Sequence, residues 1–210
     1  PLTAISNTQF LINYTNAGIP DSAMMNDLET VSNAQVSTTT SKFGTGSIKL
    51  NGTSDYLYSP QTIQLGGGLG NWTVECWVNF SGNLAYLDGD GNYAGAIFGQ
   101  TASNSIGIAF ISGSASLPTH FKMWIFGPLT LSGSVGTISS NTWYHCAVTR
   151  ESGVFNVYFN GSRIATNSSY TSTSLANDIY RVGSTARASF YDYFPGYIDD
   201  FRITQGVARY

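Results

Sequence analysis

Short runs of β-branched and aromatic residues, broken every few positions by Gly, Asn, Ser or Pro, recur along the whole chain and constrain its fold more than any other feature. They are QFLINY (9–14), SIKLNG (47–52), DYLYSP (55–60), WTVECWVNF (72–80), GAIFGQ (95–100), IGIAFIS (106–112), FKMWIFG (121–127), WYHCAVTR (143–150), VFNVYFNG (154–161), IYRVG (179–183) and YIDDFRIT (197–204). Each has the length and composition of a strand and ends in turn-forming residues. Side chains alternate between the faces of a strand, so Trp72, Val74, Cys76, Val78 and Phe80 share one apolar face. ESG (151–153) and FNGSRIA (159–165) read as hairpin turns. The exception is SAMMNDLET (22–30), which is expected to form a helical turn. Many short strands in one stretch, with no interior linker or repeat, predict an all-β fold: a two-sheet antiparallel jelly-roll sandwich. One domain is expected over 9–210, with residues 1–8 an extended lead-in from a preceding segment.

Composition narrows the function. Nine Lys and Arg, scattered along a chain of formal net charge -3, form no basic stripe, which argues against nucleic acid as a partner. No apolar run approaches the roughly 20 residues that span a bilayer. No signal peptide is visible at Pro1, so the chain is expected to begin after a processing site or inside a longer polypeptide. Cys76 and Cys146 lie in strand-like runs and are expected to be buried free thiols. A disulfide would require the two strands to be neighbours.

The acidic residues are few enough to weigh singly. Glycoside hydrolysis needs two carboxyls at about 5–5.5 Å or about 6.5–9.5 Å. Of the three glutamates, Glu75 lies in a strand, but Trp77 and Asn79 follow it on the same face and no carboxylate partner is present there. His120 and His145 have no recognisable nucleophile and no Cys/His spacing for zinc. An enzyme is therefore not expected. Asp88, Asp90 and Asn92 alternate as at the start of an EF-hand loop, yet Tyr93 stands where that loop needs glycine and no Glu stands at its twelfth position. A plain loop is expected, a loop calcium touching sugar being the alternative. Tyr86, Tyr93, Tyr191 and Tyr193 fall in two loop stretches and are candidate sugar-stacking residues. Packing inside the core or at a subunit contact is the competing role.

Four motifs in order resemble a known family. KFGTGSIKLNGTSDYLYSP (42–60), WTVECWVNF (72–80), NTWYHCAVTRESGVFNVYFNGSRIAT (141–166) and FPGYIDDFRITQGVARY (194–210) resemble laminin-G-like domains of the concanavalin A-like lectin/glucanase jelly-roll type. The opening stretch 10–47 resembles versions of this domain in tail-fibre and other virion proteins of bacteriophages. The resemblance implies a non-catalytic glycan-binding or adhesion domain on a virion surface. It would contact host-surface polysaccharide, as a homo-oligomer or as part of a virion assembly. The alternatives are a structural decoration or assembly domain with protein partners only, and an accessory module of a secreted bacterial protein.

The resemblance also implies roles for single residues. Asp199 matches an aspartate that in relatives helps hold a structural calcium together with carbonyls of the N-terminal segment. The acidic residue those relatives carry in the first strand is replaced here by Thr15 or Asn16. The alternative is that Asp199 accepts backbone N–H bonds from a neighbouring loop, leaving Asp200 as the exposed partner beside Arg202 or Arg181. His145 matches a structural histidine, and Phe194 an inward-packing position.

Overall fold

The computed structural model describes residues 8–12, 28–100, 105–125, 129–170, 173–185 and 192–210. Sixteen strands run through them: β1 (Thr8–Ile12), β2 (Glu29–Val31), β3 (Gln35–Ser37), β4 (Ser47–Asn51), β5 (Tyr56–Gln64), β6 (Trp72–Phe80), β7 (Tyr86–Leu87) and β8 (Tyr93–Gln100) in the first half, then β9 (Ile106–Ser112), β10 (His120–Ile125), β11 (Leu129–Ser134), β12 (Trp143–Glu151), β13 (Val154–Phe159), β14 (Ser162–Asn167), β15 (Asn177–Val182) and β16 (Pro195–Gln205). One short 3-10 turn lies at Leu65–Gly68. The expected helical turn over 22–30 is a strand at Glu29 and Thr30, and its first six residues lie outside the described ones.

The strands form two antiparallel sheets. Sheet I has the order β14-β13-β12-β6-β16-β4-β3, with β1 also paired to β16. Sheet II has the order β11-β10-β9-β8-β15-β5-β2, with β7 paired to β8. Two turns show why the hairpins close where they do. Ser152 and Gly153 (φ 48° and 84°) join β12 to β13, and Asn160 and Gly161 (φ 47° and 79°) join β13 to β14. Positive φ at both central residues twists a two-residue loop in the same sense as its strands, which is why Asn-Gly suits it.

The inward faces make the core. Trp72, Val74, Cys76, Val78 and Phe80 are all buried on one side of β6, as the alternation predicts. Aromatic pairs tie the sheets together: Phe80 of sheet I meets Phe110 of sheet II edge-on at 5.1 Å, and Phe98 of sheet II stacks on Phe201 of sheet I at 6.0 Å. Burying a side chain of this kind contributes about 1.5–3 kcal/mol. Cys76 and Cys146 face each other across β6 and β12, both buried as free thiols with sulfurs 3.5 Å apart. Burial pushes the Cys76 thiol well above its ordinary value. It is an unreactive core residue in this state.

The adjacent aspartates of β16 occupy a break in its pleat. Ile198 and Phe201 are both fully buried in the core, which strict alternation over an interval of three forbids. The pairing with β6 shifts between Asp199 and Arg202, and Asp200 takes φ 48°. This β-bulge restores the inward face after the two aspartates.

Candidate functional site

Asp199 holds backbone. Its Oδ2 accepts N–H bonds from Lys42 (2.7 Å) and Phe43 (3.1 Å), and its Oδ1 accepts from the Asp200 N–H (2.8 Å). The carboxylate thus fastens the loop before β4 to the last strand. Burial pushes its carboxyl above the ordinary value, and the three N–H donors offset part of that. A calcium ion needs six to eight oxygens around it. The described surroundings of Asp199 offer N–H donors instead, and no cluster of three or more His, Cys, Asp or Glu among the described residues is placed to hold a metal. The described contacts are those of a backbone clasp; Thr15 and Asn16 lie outside the described residues. Asp200 is not the exposed partner expected of it. Its exposure is 1%, and its backbone takes φ 48° within the bulge. Arg202 is engaged by Glu75, and Arg181 lies over the Tyr56 ring.

Glu75, in the middle of β6, is buried on the outer side of sheet I and surrounded by donors. Arg202 Nε donates to its Oε1 at 2.9 Å, and Arg209 Nε lies 3.1 Å from the same oxygen. The Tyr210 hydroxyl donates to Oε2, and His145 Nε2 stands 3.5 Å from it. Burial alone would raise the carboxyl, but His145, Tyr210 and Arg202 together hold it at about 2. Tyr210 also packs on His145 and Tyr158, so residues 206–210 fold back along this sheet. An acid held this low cannot protonate a leaving group near neutral pH, and the side chains around it are donors rather than a second carboxyl. His145 has a structural place, its ring tilted against Trp77 at 5.3 Å.

The outer side of sheet II is built differently. Residues 192–194 run along the edge of β8 between β7 and β15, with the Ala96 N–H donating to the Asp192 carbonyl at 2.9 Å. Phe194, just beyond, is fully buried. That course brings Tyr193 between Tyr86 of β7 and Tyr56 of β5. Tyr193 meets Tyr86 edge-on at 5.6 Å and lies tilted over Tyr56 at 6.3 Å. The Arg181 guanidinium sits over the Tyr56 ring at 4.5 Å. Tyr86 and Leu87 are 37% and 48% exposed, a large apolar step at the sheet edge. Of the four tyrosines singled out by sequence, Tyr86 and Tyr193 come together here. Tyr93 instead packs half-buried against the core, and Tyr191 lies outside the described residues.

Beside this strip the 88–92 turn closes over a lysine. Lys122 Nζ donates to Asp88 Oδ2 at 3.0 Å and to Asp90 Oδ2 at 2.6 Å. Asp88 Oδ1 accepts the backbone N–H groups of Asp90 and Asn92, both at 2.9 Å. Burial pushes the Asp88 carboxyl up, but Asn92 and Lys122 outweigh it and hold the acid below its ordinary value. The segment that resembles the start of a calcium loop is thus closed by an ammonium group. Trp124 follows on the same face, its indole lying on Gly107, where any Cβ would fall 2.1 Å from the ring. A groove of about 470 Å³ opens here, lined by Asp90, Asn92, His120, Lys122, Thr130 and Ser132 among others.

Sequence alone does not point to Lys122 or Tyr56, and it offers Arg181 only as a neighbour of Asp200. Lys122 sits in FKMWIFG, where it reads as an ordinary outward position of a strand; its acidic partners come from more than thirty residues upstream. The available signal was a lysine alternating with Trp124 on one face of a strand beside a D-x-D-x-N segment.

Fold and site together define a class: a jelly-roll sandwich with a closed charged face on one sheet and an aromatic and polar face on the other. The family model described as the concanavalin A-like lectin/glucanases superfamily, of the laminin G type, matches residues 51–208, and the chain belongs to that superfamily. A search of curated protein sequences returned no match. Among solved structures the chain is similar to domain 4 of AbnA, a GH43 extracellular arabinanase from Geobacillus stearothermophilus, solved with arabinotriose: TM-score 0.69, 18% identity, covering 95% of this chain and 93% of that one. It is similar to the binding domain of botulinum neurotoxin DC in complex with SialylT: TM-score 0.68, 12% identity, 97% and 49% covered. A third is the LG4-5 pair of the mouse laminin alpha1 chain: TM-score 0.54, 13% identity, 91% and 45% covered. The chain spans about half the length of the latter two, and at these identities the likeness is one of fold.

Proposed function

We propose that this domain is a non-catalytic glycan-binding or adhesion module that contacts polysaccharide through the outer side of sheet II. The observation that carries the reading is the Tyr86–Tyr193–Tyr56 strip, with exposed Tyr86 and Leu87 at its edge and a polar groove beside it. Sugars stack their apolar ring faces on aromatic side chains, while polar neighbours meet the hydroxyls. That domains of similar fold were solved with arabinotriose and with SialylT supports the reading.

The likeness of the opening stretch 10–47 to phage appendage domains favours display on a virion surface, toward a host-envelope polysaccharide. Binding per copy is weak in this reading and gains from repetition, since multivalent display raises apparent affinity about 10²–10⁴-fold without a new contact. A second setting has its own support. The arabinanase domain, matched over nearly its whole length, is a part of an extracellular enzyme, which favours an accessory module of a secreted bacterial protein.

The test presents the domain as multimers on a glycan array and on bacterial cells. Tyr86→Ala and Tyr193→Ala lower retention per folded molecule, while the protein stays folded. If multimers bind no glycan, or if these variants dissociate an assembly instead, the domain is a structural or assembly module with protein partners.

A further inference from the structure

We infer that the groove between the 88–92 turn and strands β9–β11 is a saccharide subsite that takes uncharged sugars and disfavours acidic ones. The inference rests on the glycan-binding reading above and adds a second contact region, apart from the tyrosine strip, with its own selectivity. The volume, about 470 Å³, lies within the roughly 300–1,000 Å³ usual for small-ligand sites. Its lining is that of a hydroxyl-binding site. Thr130, Ser132 and His120 are exposed at its rim, Asn92 contributes a carboxamide, and Ile111 gives a half-buried apolar patch.

Charge decides the class of sugar. Lys122 is the cation of the groove, and two of its three N–H groups are committed to Asp88 and Asp90. Asp88 is 4% exposed on its side chain, whereas Asp90 is 60% exposed and faces the groove. Two carboxylates against one ammonium leave a local excess of one negative charge. The exposed Asp90 oxygen can accept from a sugar hydroxyl, but it repels a sialic or uronic carboxylate. Two like charges at about 4 Å weaken binding roughly fivefold in water and more at a protein surface, where screening is weaker. The rigid base also suits a ligand site. Lys122 is held by Asp88 and Asp90, with its ammonium 5.3 Å from the Trp124 ring, so this wall of the groove does not have to reorganise.

The experiment compares multimers of the full chain on immobilised arabinotriose-type neutral oligosaccharides and on sialylated glycan of matched density. The wild type should retain the neutral panel roughly fivefold better or more. Ser132→Tyr, an exposed substitution that fills the groove, should lower that retention without moving the melting midpoint. Asp90→Asn removes one carboxylate charge and should narrow or reverse the preference. Equal or stronger retention of the sialylated glycan by the wild type overturns the charge argument alone. Retention that is unchanged in Ser132→Tyr but lost in Tyr86→Ala confines binding to the tyrosine strip and removes the groove as a site. No retention of any glycan overturns the glycan-binding reading beneath both.

Discussion

Glu75 on sheet I and Asp90 on sheet II each meet a cation, yet one site is closed and the other is open. Glu75 has no exposed side-chain surface and meets two arginines, a tyrosine hydroxyl and a histidine. Asp90 touches one lysine and leaves most of its side chain in water, at the lip of a groove. A closed, fully partnered charge holds structure, because removing any member strands the others in low dielectric. A half-partnered charge on a rigid base can still take a ligand. The difference teaches which acidic residue to suspect of binding: the one whose partners leave it accessible, not the one with the most perturbed acidity.

The largest expected effect breaks the closed site. Glu75→Gln leaves Arg202 and Arg209 without their carboxylate and should cost about 3–5 kcal/mol in chemical denaturation, while glycan retention per folded molecule stays as in the wild type. Acid should do the same reversibly. The Glu75 carboxyl titrates at about 2 when folded against 4.5 for an unperturbed glutamate, so its contribution is complete above about 4.5 and fades as pH falls toward 2. Up to about 3 kcal/mol is lost across that window, with Asp88, also held low, adding to the loss. Asp199, held high, opposes it in part. A melting midpoint flat from pH 5 to about 2 would contradict this account of the cluster.

Intermediate effects sharpen the boundary between the two sites. Lys122→Met removes the ammonium from buried Asp88 and should cost about 1–3 kcal/mol, less than Glu75→Gln because Asp88 keeps its backbone donors. Unlike the Glu75 variant, it should also alter glycan retention. Smallest of all is the effect of calcium. With N–H donors on both Asp199 oxygens and Lys122 between Asp88 and Asp90, calcium against chelator should leave the melting midpoint unmoved. A rise in the calcium sample would show a site that the described contacts do not contain.

The fold was legible because its signals are local. The alternation of WTVECWVNF set one whole inward face, and the Ser-Gly and Asn-Gly turns closed two hairpins where expected. The aspartates of β16 were harder, since a bulge adds a residue that no alternation rule anticipates. The candidate site was legible only in part. Tyr86 and Tyr193 could be suspected from their loops, but their meeting depends on residues 192–194 filling the edge of β8, a long-range pairing. The same holds for Lys122, whose partners are distant in sequence. Tyr93 misled because its strand begins within the expected loop and turns the ring toward the core.

The two sheet faces divide structure from binding, and retention by variants of the tyrosine strip measures that division. Multimers of the wild type and of the Tyr86→Ala/Tyr193→Ala double variant are compared for retention on immobilised bacterial polysaccharide, normalised to folded protein. The double variant should lose retention while staying folded, at a cost of about 1–3 kcal/mol for the two aromatic pairs removed. Full retention by the double variant, or none by the wild type, would contradict that division.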